Sequence, residues 1–147
     1  MLSNQNNMKS KIVKWSSKGL IFFSAFAIVM VSVMAFNDPQ AVMNLVGVQL
    51  PNTDAYSSIR GVYGGVGFTL FATLLYLAIK DYKKGLVFTS VLWGSYALSR
   101  LMTITVEGNL GAFGNQWLLI ESVLCILSLT LLALHGRRVK QAVPSMA

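Results

Sequence analysis

The chain has 147 residues, of which 54% are apolar and only 12% charged, with a mean hydropathy of +0.60. A soluble domain of this length needs more polar surface than that to cover its core, so the composition excludes an ordinary water-soluble fold. The net charge of +7 sits in basic clusters between long uncharged runs, a layout that membrane flanks account for without a nucleic-acid partner.

Crossing the hydrocarbon takes about 20 helical residues, and four runs are candidates. The first, 19–36, has no charged residue. A cleaved signal peptide ending near Ala35 is the competing reading of this run. Its length fits a retained span, and its loss would put the two termini on opposite sides, so retention is expected. The outer loop that follows carries a helix-start pattern, with Asp38 as cap, Pro39 in the first position and Gly47 as the stop. Ala41, Val42, Leu45 and Val46 make one stripe of a short helix lying on the membrane surface. Asp54 is then expected to cap the second span, 59–79.

Lys80, Lys83 and Lys84 separate the second span from the third, 85–104, which carries Arg100 and several hydroxyls. Asn115 is expected to cap the fourth span, 116–134. With Lys9, Lys11, Lys14 and Lys18 before the first span and Arg137, Arg138 and Lys140 after the last, ten of the twelve basic residues fall on one side. That side is expected to be cytoplasmic, with both termini on it. The single cysteine, Cys125, lies inside the fourth span and has no partner for a disulfide or a metal. The only histidine, His135, sits at the cytoplasmic end as an interface residue. No catalytic constellation, metal centre or cofactor motif is expected.

Three ionisable residues fall within the spans: Arg60, Arg100 and Glu121. Such groups are costly in lipid and turn toward a partner, a bundle interior or water. At about 1.5 Å per residue, Arg100 lies about 22 Å, Glu121 about 20 Å and Arg60 about 28 Å above the cytoplasmic ends of their helices. The three are therefore expected to form one cluster in the outer leaflet, with Tyr63 and Tyr96 on the same faces. Two readings stay open. In one, Arg100 and Glu121 form a structural clamp that fixes helix order. In the other, the second arginine leaves surplus positive charge for an anionic lipid head group or a small carboxylate or phosphate. Gly61 and Gly65 form a G-x-x-x-G, and with Gly64 and Gly94 they mark faces where helix backbones approach closely, within the chain or across a homodimer seam.

The segments SIRGVYGGVGF (58–68) and GSYALSRLMTITVEGNLG (94–111) resemble the signatures of a family of small four-span bacterial membrane proteins, classed as a domain of unknown function. The resemblance runs from Asn37 through the fourth span. It implies Arg60, Gly61, Gly64, Gly65, Arg100 and Gly108 as marked positions, implies a bacterial inner membrane as the location, and brings no activity. The expected fold is an all-helical, antiparallel four-transmembrane-helix bundle with a short helix in its first outer loop, a single domain over 1–147. The expected function is non-enzymatic binding in an outer-leaflet polar pocket. The alternatives are a structural or accessory subunit of a homo-oligomer or larger membrane complex, and an enzyme acting on a lipid-like substrate.

Overall fold

The computed structural model describes the backbone of residues 2–142 and the side chains of Met8 and of 10–136. Residues 143–147 and the side chains of the flanking Lys9, Arg137, Arg138 and Lys140 lie outside the described residues. Among the described residues the chain is helical, with short connections and no strand.

Helix α1, Leu2–Asn37, contains the first apolar run and extends well before it. Its buried positions are Val13, Ser17, Ile21, Ser24, Ala25, Ser32 and Ala35. They recur at helical spacing and include three serines, whereas Phe22, Phe23, Phe26, Met30 and Val33 face outward. A helix that buries hydroxyls and exposes phenylalanines suits a lipid exterior better than water.

Helix α2, Pro39–Asn44, starts as its sequence suggests: the Asp38 carboxylate accepts the Gln40 N–H at 3.0 Å and Pro39 occupies the first turn. Gly47 supplies the left-handed turn after it, at φ 70°. Gln40, which carries no conspicuous motif, ties the loop together. Its amide donates to Asn44 Oδ1 at 2.8 Å and to the Val48 carbonyl at 2.9 Å, and its carbonyl accepts from Leu50 N at 2.9 Å. Ala35, Val42 and Met43 form a small apolar core beneath the loop.

The next helical stretch is continuous over Thr53–Lys80 but changes winding twice. It comprises α3 (Thr53–Ile59), a π-helical segment (Arg60–Val66) and α4 (Gly67–Lys80). The helix begins earlier than the apolar pattern suggests, so the cap is Asn52, whose Oδ1 accepts from Ala55 N at 2.9 Å, and Asp54 falls within the first turn. A single residue, Asp81, separates α4 from α5 (Tyr82–Val106). Its carboxylate accepts from Lys84 N and Lys83 N, both at 3.2 Å. The Lys84 backbone N–H is the main reason its carboxyl is held below the ordinary carboxylate value. After Gly108, which has a φ of 105°, the chain enters α6 (Ala112–Ala142). Asn115 therefore lies inside α6 rather than capping it, and its Nδ2 donates back to the Leu110 carbonyl at 2.9 Å.

Contacts run in opposite directions along two helix pairs. On α1, Phe36 meets Gly64, Ser32 meets Gly67, and Ile21 shares a core with Leu74, Ala78 and Leu86. On α5, Arg100 meets Glu121, Ser90 meets Cys125, and Tyr82 meets His135. Close approach is built on Gly64, where an added Cβ would stand 2.9 Å from the Phe36 ring, and on Gly67, where it would stand 3.2 Å from Ser32 Cβ. Gly94 lies against Cys125, whose Sγ would stand 3.3 Å from such a Cβ. Gly61 and Gly65, the expected packing pair, meet nothing within 4 Å. The backbone seam with α1 runs through Gly64 and Gly67, one register away from that motif.

The helices of α1 (over Ser10–Asn37), Thr53–Lys80 and Ala112–Gly136 are each long and apolar enough to cross a membrane. At 25 residues α5 is about 37 Å long, but Arg100 and its hydroxyls make it less apolar than those three.

Candidate functional site

Arg100 lies four turns along α5 from its basic start, and Glu121 lies two to three turns into α6. The antiparallel pairing of α5 and α6 brings them level. Arg100 Nε donates to Glu121 Oε2 at 2.7 Å and Nη2 donates to Oε1 at 2.9 Å, a bidentate pair. Glu121 is 1% exposed. The Arg100 side chain is 22% exposed and that of Glu121 only 2%, so the accessible part of the pair belongs to the guanidinium. Two planar forks matched in this way give a strong, directional contact, and a buried carboxylate needs such a partner.

The pair sits at the wall of a half-open cavity of about 510 Å³. Helix α1 contributes Ile28 and Val31, the loop after α2 contributes Leu45 and Val46, and α4 contributes Leu70, so most of the wall is apolar. Aromatic rings complete it. Trp93 stacks at a tilt on Tyr96 with ring centroids 5.9 Å apart, and Trp117 pairs with Phe113 at 6.1 Å. Trp93 is also anchored from behind, its Nε1 donating to Ser24 Oγ at 2.9 Å in the buried interface with α1. Tyr63 and Tyr96 both line the cavity.

The structure thus brings together Tyr63, Tyr96, Arg100 and Glu121 and leaves Arg60 out. Arg60 is exposed, does not line the cavity, and donates from Nε to the Phe36 carbonyl at 3.2 Å. The cause is the end of α1. The last carbonyls of a helix have no intrahelical donor and carry the negative end of its dipole. A cation on the neighbouring helix at that height is drawn to them. The expected three-charge cluster is therefore an ion pair plus a separate helix-end contact.

The π-helical segment lies between these two features. Winding with i→i+5 bonds loosens the regular carbonyl pattern, and Ser32 Oγ donates to the Gly64 carbonyl at 2.6 Å from across the seam. Tyr63 and Val66 of this segment face the cavity while Gly64 faces α1. Sequence reading missed Ser24, Ser32 and Gln40. The serines were detectable as polar members of an otherwise apolar face at positions 17, 21, 24, 28, 32 and 35, whereas nothing about Gln40 sets it apart.

Cys125, half-buried, places its thiol 3.4 Å from the Ser90 carbonyl. His135 Nδ1 lies 3.4 Å from the Tyr82 hydroxyl at the opposite end of the α5–α6 pair, with the rings edge to face. Neither residue lines the cavity.

No curated protein and no solved structure matches the chain. The family model described as "Domain of unknown function (DUF4345)" matches residues 16–132, a span that includes the ion pair and every residue of the cavity wall, and the chain belongs to that family.

Proposed function

We propose that this protein is a multi-pass membrane protein with four spans and both termini cytoplasmic, located in a bacterial inner membrane. Its role is non-enzymatic: the outer-half cavity holds a membrane-soluble small molecule whose polar head reaches the Arg100–Glu121 pair. The observation that carries this reading is the cavity itself. Its volume falls within the range of about 300–1,000 Å³ common for small-molecule sites, and such sites join apolar walls to a few convergent polar groups.

The third span in chain order, the least apolar of the four, is supported by the exposure pattern of α5. Its outward residues include Val87, Val91, Leu98, Leu101 and Met102, while Thr89, Ser90 and Trp93 are buried. Thr89 and Ser90 thus turn into the bundle, and the exposed hydroxyls of Ser99, Thr103 and Thr105 donate to carbonyls of their own helix at 2.8, 3.0 and 2.8 Å, an arrangement compatible with a lipid surround. The non-enzymatic reading is supported by the ion pair, which holds the Glu121 carboxylate against Arg100 rather than free for acid–base work. A second reading, a subunit that packs against its own copies or a larger complex, is favoured by the open space at Gly61 and Gly65.

Native mass spectrometry of the detergent-purified full chain tests the cavity reading. Wild type is expected to retain one lipid-sized adduct per chain, and Leu70→Trp, which fills the cavity without touching the ion pair, is expected to lose it while melting near the wild-type temperature. Wild type that carries no adduct and is not stabilised by any lipophilic compound would refute the reading.

A further inference from the structure

We infer that the ligand of this cavity has a neutral, oxygen-bearing head, such as an ester or ketone carbonyl, and not a carboxylate or a phosphate. The inference rests on the proposed cavity reading and adds the chemical class of the occupant.

The first ground is charge. Among the described residues, Arg100 and Glu121 are the only charged ones in the cavity wall, and they neutralise each other at 2.7 and 2.9 Å. The cation that would have given the site a surplus, Arg60, is engaged at the end of α1. An anionic head would enter as an uncompensated charge in an apolar, aromatic surround, where an unpaired ion is strongly disfavoured. A neutral head carries no such cost.

The second ground is the inventory of unused donors. A guanidinium has five N–H groups. Glu121 takes one from Nε and one from Nη2, which leaves three on the two terminal nitrogens, two of them along the edge between those nitrogens. That edge makes no hydrogen bond within the described residues, and neither do the hydroxyls of Tyr63 and Tyr96. The cavity therefore offers charge-assisted donors, while its carboxylate, Glu121, is 1% exposed and turned to Arg100. A carbonyl oxygen fits this set, because it receives a charge-assisted hydrogen bond from Arg100 without bringing charge of its own. The apolar walls take the hydrocarbon remainder of the molecule.

Three probes with the same oleoyl chain isolate the head: monoolein, oleate and oleoyl lysophosphatidic acid. Binding to the full-length protein in maltoside detergent is read as ligand-dependent melting and, from its concentration dependence, as Kd. Monoolein is expected to bind at least about tenfold more tightly than either anion, a difference of about 1.4 kcal/mol. Glu121→Gln, which keeps the side-chain shape but leaves Arg100 unneutralised, is expected to reverse the order in favour of oleate. Arg60→Ala is expected to leave the whole series unchanged. Tighter binding of oleate or lysophosphatidic acid by wild type would overturn the neutral-head inference while leaving the cavity reading intact, provided Leu70→Trp abolishes it. No binding of any probe to wild type would overturn both. Should Glu121→Gln fail to fold, the wild-type series alone decides.

Discussion

Glu121 is 1% exposed and holds both carboxylate oxygens against one guanidinium, so its removal strands Arg100 in an apolar surround. Breaking a buried pair from one side costs about 3–5 kcal/mol, and Glu121→Ala is expected to lie in that range. Arg60 is an exposed residue with a single hydrogen bond to a helix-end carbonyl. Such a bond contributes about 0.5–1.5 kcal/mol, so Arg60→Ala is expected to cost no more than that. Unfolding of both variants by denaturant in mixed micelles measures the difference, and equal losses would show that the two arginines share one network. From composition alone the two are alike, each a cation inside an apolar run. What separates them is the neighbouring element at their height: a carboxylate on α6 for Arg100, the carboxyl end of α1 for Arg60. Depth counting was enough to put Arg100 level with Glu121, but it carries no information about which helix end is short of donors.

At the level of the helices, the seam between α1 and the Thr53–Lys80 helix depends on which glycines it uses. Gly61 and Gly65 satisfy the familiar spacing but meet open space, whereas Gly64 and Gly67 meet Phe36 and Ser32. Gly67→Leu must push against Ser32, whose Cα stands 3.8 Å from the new Cβ, and overpacking of this kind costs about 1–3 kcal/mol. At Gly65 an added Cβ meets no atom of the described residues within 4 Å, and leucine gains intrinsic helix propensity, so the melting temperature of Gly65→Leu is expected to match or exceed wild type in detergent. A large loss of stability in Gly65→Leu, together with a change in oligomeric mass, would show that the open glycine face is occupied by another copy. The helices themselves were legible because their apolar runs are long and their punctuation is strong, as at Asp38, Pro39 and Gly47. The π-helical winding was not. A pattern read at 3.6 residues per turn assumes the regular ladder, and the extra residue in each turn is stabilised from outside by the Ser32 hydroxyl on the Gly64 carbonyl. Spacing alone therefore could not say which pair of small residues turns inward; the side chains of α1 decide it.

For the whole molecule, the distribution of charge and the direction of the helices point to one arrangement. Lys80, Lys83 and Lys84 sit at the α4–α5 turn, and His135 meets Tyr82 at the same end of the bundle. The loop carrying α2 and the loop carrying Gly108 lie at the end that holds the cavity, where Leu45, Val46 and Phe113 all contribute to its wall. If basic loops stay inside, the cavity belongs to the outer half of the membrane and is reached from that side or from the outer leaflet. Single cysteines test this in a Cys125→Ser background, which keeps a hydrogen-bonding group near the Ser90 carbonyl. Asn52→Cys and Asn109→Cys are expected to react with an impermeant maleimide added to intact cells, and Lys83→Cys only after the membrane is opened. The Lys83 position distinguishes the alternatives most sharply, because in the proposed topology it lies two crossings from the N-terminus and on the same side. If α5 did not span, the loops before and after it would lie on the same side, and Lys83→Cys and Asn109→Cys would react alike. Labelling of both from outside, or of neither, would remove the span at α5 and leave Arg100 and Glu121 at a different depth from the one on which the cavity's role depends.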